Sequence, residues 1–174
     1  MRQLFCALCI ACTACVMPKK PPAPPSVITC ESWAAKATLE IQMAPEPERF
    51  TRALEAIGDA CDALPSQLRG GAKTAARRPL RGERNDLLDA ATRRLLPQAC
   101  HPWSPSSPAL DVVKRCPLDP DLKLGKSTLE RMSGAEYNFL KAVQFTLRQV
   151  NAYPPEVEAL LIDFARAAAL QGKP

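Results

Sequence analysis

Apolar residues recur at helical spacing along most of this chain. Over residues 30–44, Cys30, Trp33, Ala34, Ala37, Ile41 and Ala44 fall on one helical face. Pro45 and Pro47 break the chain. Over 48–64, Phe50, Ala53, Leu54, Ile57, Cys61 and Leu64 form a second such face, which Pro65 stops. Two helices joined by a short turn predict an antiparallel hairpin. Residues 83–96 carry Leu87, Leu88, Ala91 and Leu95 on one side, with acids early and Arg93-Arg94 late, the order that the helix dipole favours. Residues 109–115 predict a short helix carrying Leu110 and Val113. Ser127-x-x-Glu130 and Ser133-x-x-Glu136 both have capping-box spacing. From the second box a helix is expected over 134–152, with Leu140, Val143, Leu147 and Val150 inside and Phe139 and Phe145 off that stripe. Asn151 to Pro155 reads as a turn, and Pro155 suits a first helical position. Residues 155–171 show the cleanest stripe, Val157, Leu160, Leu161, Phe164, Ala165 and Ala168, with Gly172 placed to end it. No segment alternates as a strand would. The pattern predicts an all-α fold: a helical bundle of about five helices, built from the hairpins 30–64 and 134–171 with a helix near 83–96 between them.

One stretch breaks the pattern. Residues 65–82 contain Arg69, Lys73, Arg77, Arg78 and Arg81 and no acid. Gly70-Gly71 and Pro79 argue against a continuous helix, so a solvated basic loop is expected. These five cations are the candidate partner surface, suited to an acidic protein or an anionic polymer. Without interleaved aromatics they do not make a nucleic-acid site.

The N-terminus differs again. Arg2 precedes an apolar run from Leu4 to Ala14, which has the plan of a secretory signal. The run ends Thr13-Ala14-Cys15, and this resembles the lipobox of bacterial lipoproteins; Cys9-Ile10-Ala11-Cys12 is a second register, and both carry Cys where the usual pattern has Leu. The resemblance implies cleavage before Cys15 (alternatively Cys12), acylation of that Cys, and an envelope location, by analogy the outer membrane facing the periplasm. Five prolines between residues 18 and 25 then favour an extended stalk, which at about 3.1 Å per residue spans roughly 40 Å at most. Three regions are therefore expected: a signal peptide, 1–14; a lipidated Cys with a Pro-rich tether, 15–29; and one helical domain, 30–174.

Four cysteines lie beyond the signal: Cys30, Cys61, Cys100 and Cys116. An even number in an exported chain implies disulfides. Cys30 and Cys61 lie 15 and 16 residues either side of Pro45, so the hairpin brings them level at its open end and predicts Cys30–Cys61. Cys100–Cys116 is left, stapling a segment, 97–120, that holds six prolines. The alternative, a metal site of Cys100, His101 and Cys116, lacks any C-x-x-C spacing.

Composition adds limits. The chain has 174 residues, 47% apolar and 24% charged, enough for one domain with a core. Aromatics are only 5%, so that core must be mostly Ala, Leu, Val and Ile. A net charge of +5 is too mild and too spread for a nucleic-acid binder. No apolar run reaches the roughly 18 residues of a membrane span.

Catalytic motifs are missing. There is one His, and no G-x-S-x-G, H-E-x-x-H or Gly-rich phosphate loop. Asp119 and Asp121 with Glu130 have the spacing of a calcium loop, but Lys123 and Leu124 stand where an oxygen ligand and Gly are needed. No enzyme activity, cofactor or metal is expected. The leading expectation is a lipid-anchored envelope protein that docks a protein partner. In plan the chain resembles pilotins, small helical lipoproteins that escort secretion or pilus components, though no specific pilotin motif is present. Two other readings stand: an immunity or inhibitor lipoprotein acting on a toxin or wall enzyme, and a helical domain carrying an acyl chain.

Overall fold

The structure, a computed structural model, describes residues 28–120 and 122–172. The signal segment, both lipidation candidates Cys15 and Cys12, and residues 15–27 of the tether lie outside the described residues. Among the described residues there are eight α-helices, two short 3₁₀ turns and no strand. The fold is all-α and stapled by two disulfides, as the spacing predicts; the helix number is higher because short helices form in segments that periodicity cannot resolve.

Helix α1 (Cys30–Met43) starts at Thr29, whose hydroxyl accepts from the Ser32 N–H at 3.2 Å. It buries Trp33, Ala34, Ala37 and Ile41. The Trp33 indole donates to the Ala56 carbonyl at 2.8 Å, tying α1 to α2 (Arg49–Gly58). Helix α2 ends well before the expected residue 64. A turn over 59–64 replaces its last part and still keeps Cys61 and Leu64 buried. A turn and a helix satisfy the same apolar spacing here, so periodicity overran the true end.

The largest correction is the basic segment. Residues expected to form a solvated loop are helix α3 (Ser66–Ala76). Its stripe of Leu68, Ala72, Ala75 and Ala76 is buried against α2 and α4 (Arg81–Thr92). Gly70 costs the helix about 1 kcal/mol in propensity, which packing outweighs. Gly71 is required by that packing: a Cβ there would come within 2.6 Å of Ala91 Cβ on α4. The glycine pair is thus a close helix contact and not a break.

The remaining elements are α5 (Ala109–Val113), α6 (Lys126–Arg131), α7 (Gly134–Gln149) and α8 (Pro155–Gln171). Ser127 is no cap, because α6 begins one residue earlier, after Gly125. Ser133 and Glu136 form the reciprocal capping box at α7 that their spacing predicts. Pro155 opens α8, and Gly172 caps it without a left-handed φ.

Helix α8 is the centre of the bundle and packs against α1, α2, α6 and α7. Both hairpins form, yet neither is a unit on its own: α1 packs more extensively on α8 than on α2, and the main partner of α7 is α4. Phe139, off its expected stripe, is buried and meets Phe164 at 5.9 Å between centroids; Phe50 meets Phe164 from another side at 5.4 Å. Val150, expected inside, is exposed, because α7 stops at Gln149.

Candidate functional site

The Cys30–Cys61 and Cys100–Cys116 disulfides both form, each with Cα atoms 5.0 Å apart. The first closes the mouth of the α1–α2 hairpin. Beside it an open groove of about 440 Å³ runs between the two helices, lined by Ile28, Trp33, Lys36, Glu40 and Arg52.

The five basic residues do not share one fate. Lys73 pairs with Asp59 at 2.7 Å and Arg69 with Asp62 at 3.4 Å, both across the turn that joins α2 to α3. Arg81 is taken into the structure. Its Nε and a terminal nitrogen hold Glu136 at 2.9 and 2.8 Å, and the guanidinium also donates to the Arg131 carbonyl at 2.7 Å. Glu136 is fully buried, and its carboxylate also accepts from the Ser133 N–H at 2.8 Å. Ser133 Oγ donates to Asn85 at 3.0 Å, so a capping box, a bidentate ion pair and an amide join α4 to α7. Arg84, one turn along α4, donates to the Arg78 carbonyl at 2.6 Å and lies over the Phe50 ring. Burial lowers its pKa, and the Glu136 charge opposes that shift. Arg77 and Arg78 remain: both are exposed at the α3–α4 turn, beside exposed Leu80, and neither makes an ion pair with a described residue.

A polar cleft of about 250 Å³ opens over this network, lined by Arg81, Asn85, Ser106, Glu130 and Ser133. It holds hydroxyls but no activated nucleophile. The carboxylate nearest Ser133 is occupied by Arg81 and by a backbone N–H, so it offers no base. No group of three metal-ligating side chains gathers among the described residues. The sulfurs of Cys100 and Cys116 are bonded to each other and are therefore not thiolate ligands. His101 sets its Nε2 against the Leu96 carbonyl at 3.3 Å.

The loop containing residues 100–108 is held by a disulfide at Cys100 and by hydrogen bonds from α7. Its carbonyls satisfy N–H groups at the start of α7: Ser107 accepts from Gly134 at 2.6 Å and Pro105 from Ala135 at 3.1 Å. Asn138 donates to the Cys100 carbonyl and the Tyr137 hydroxyl to the Cys116 carbonyl, each at 2.8 Å. Pro102 is buried, and its approach demands Gly134, where a Cβ would come within 2.8 Å of the proline ring. From this anchored loop Trp103 stands 92% exposed, whereas Trp33 is 6% exposed. Motif and periodicity reading passed over Trp103. The available signal was local: a large aromatic in a run of Pro and Ser has no helical stripe to bury it.

Compared with protein-family models, curated proteins and solved structures, the chain matches none.

Proposed function

We propose that this protein is a lipid-anchored envelope protein that docks an acidic segment of a protein partner at its α3–α4 turn. The observation that carries the compartment is the cysteine pairing: all four cysteines of the described domain are bonded to one another. Such pairing suits an oxidising compartment, which is where a chain acylated at Cys15 would be held. The docking reading rests on Arg77 and Arg78. They are the members of the basic set that make no ion pair with a described residue, and Leu80 adds an exposed apolar side chain beside them. Two guanidiniums with an apolar neighbour suit a short acidic peptide that carries one apolar anchor.

The compartment is tested by the intact mass of the chain recovered from membranes, with and without reductant. The expected species starts at Cys15, carries acyl mass and gains the mass of four hydrogens when the reductant opens its two disulfides. An unprocessed chain with free thiols overturns it. Docking is tested with a photo-crosslinking residue at position 80. Capture of a defined envelope protein is expected, and Arg77→Glu with Arg78→Glu should abolish it at unchanged Tm. Capture that survives charge reversal rules out the acidic partner.

A further inference from the structure

We propose that Trp103 and the cations beside it form a second membrane contact, an edge that rests on the headgroups of an anionic phospholipid surface. This rests on the reading that the chain is held at a membrane. Three observations carry it.

The first is the exposure of Trp103 on a scaffold that cannot turn it inward. The loop is fixed by the Cys100–Cys116 disulfide, by buried Pro102 and by the hydrogen bonds from α7. A backbone held in place this way loses little further freedom when its side chain enters an interface. Indole is also the side chain best suited to the headgroup level, since its body is apolar and its N–H stays hydrated.

The second is charge. Residues 93–118 carry Arg93, Arg94, Lys114 and Arg115 against one acid, Asp111. Arg93 is paired with Asp89. Arg115 lies against the loop itself, its guanidinium 3.4 Å from the His101 carbonyl, and Lys114 beside it is exposed. Arg94 lies two residues before Leu96, whose carbonyl meets the His101 ring. Lys114 and Arg115, next to the loop that carries an exposed Trp, complement an anionic leaflet.

The third is isolation. Ile28, Leu39, Met43, Leu80, Phe145 and Val150 are the other large exposed apolar residues of the described chain, and none belongs to 93–118. A protein interface centres its anchors in a cluster of apolar contacts that excludes water. A single exposed indole on a loop that Arg115 touches at His101 fits a lipid headgroup layer better.

The chain has two tryptophans, and Trp33 is buried, so a change in emission on adding membranes reports Trp103. The test uses the full chain with vesicles of phosphatidylcholine alone and of phosphatidylcholine mixed with phosphatidylglycerol. The mixed vesicles should shift the emission to the blue, protect it from acrylamide and make it quenchable by brominated lipid. Trp103→Phe should remove the change. Lys114→Gln with Arg115→Gln should abolish the shift, and high salt should reverse it in the unaltered chain, where no folding defect can intervene. Equal shifts on both vesicles, or none on either, overturn the proposal. A shift that appears only with an added envelope protein also overturns it and makes the loop a protein-docking edge. Trp103 responds whether the chain reaches the vesicle through a lipid on Cys15 or from solution, so this result and the mass measurement fail independently.

Discussion

Gly70 and Gly71 are neighbours in sequence with opposite roles. Gly70 faces open space in an exposed helix turn, and Gly71 sits against Ala91 of α4. Gly70→Ala should stabilise the domain by about 0.5–1 kcal/mol through helix propensity alone. Gly71→Leu should destabilise it by about 1–3 kcal/mol through overpacking. Denaturant midpoints of the two variants decide the matter, and equal effects would mean that α3 does not dock as described. The basic residues divide in the same way. Arg81→Ala strands a fully buried carboxylate, Glu136, and should cost about 3–5 kcal/mol. Arg77→Ala touches no buried group and should stay within about 0.5 kcal/mol of the parent. A sequence treats these arginines alike; their partners do not.

The α7 helix and the loop it anchors behave as one element. Tyr137 is buried in α7 and donates to the Cys116 carbonyl, and burial raises its pKa well above the ordinary tyrosine value. The unfolded chain therefore gives up that phenolic proton at a lower pH than the folded one. The stability linked to Tyr137 is fully present below about pH 10 and is lost as the pH rises beyond it. Tyr137→Phe should cost about 1 kcal/mol near neutral pH and should flatten the alkaline decline. Guanidinium titrations at pH 7 and above pH 10 measure both, and an unchanged alkaline slope would place the pH sensitivity elsewhere. Removing the staple tests the same element: Cys100→Ser with Cys116→Ser should cost about 3 kcal/mol in the chain-entropy model for a separation of 16 residues. Amide exchange should then speed up across residues 100–108 before it does in α8.

At the scale of the whole molecule, the two disulfides lie on different parts of the bundle. Cys30–Cys61 closes a loop with a separation of 31 residues around the first two helices, worth about 3–4 kcal/mol in the same model. Its loss should lower Tm without selectively loosening the Trp103 loop, and a selective effect there would contradict the packing order given above. The interior around α8 is filled by apolar side chains from α1, α2 and α7, with Phe50 and Phe139 against Phe164. The Ala-rich face of α8 is thus occupied by helix packing, and the two crevices described above open on the surface.

The all-α class, the apolar faces of α1, α7 and α8, the capping box at Ser133 and both disulfide pairings are legible in the linear chain. Each follows from local or periodic properties: apolar spacing sets helix faces, and two faces joined by a short turn bring Cys30 to Cys61, which leaves Cys100 with Cys116. Long-range packing is what makes residues 66–76 helical, pairs Arg81 with buried Glu136, and sets Trp103 out of a clamped loop. Those outcomes depend on surfaces contributed from far along the chain. Ala91 accepts the glycine face of α3, Glu136 lies 55 residues from Arg81, and the N-terminus of α7 supplies the donors that hold the loop. Local propensity is worth about 1 kcal/mol at a glycine, and burial of a whole apolar stripe outweighs it.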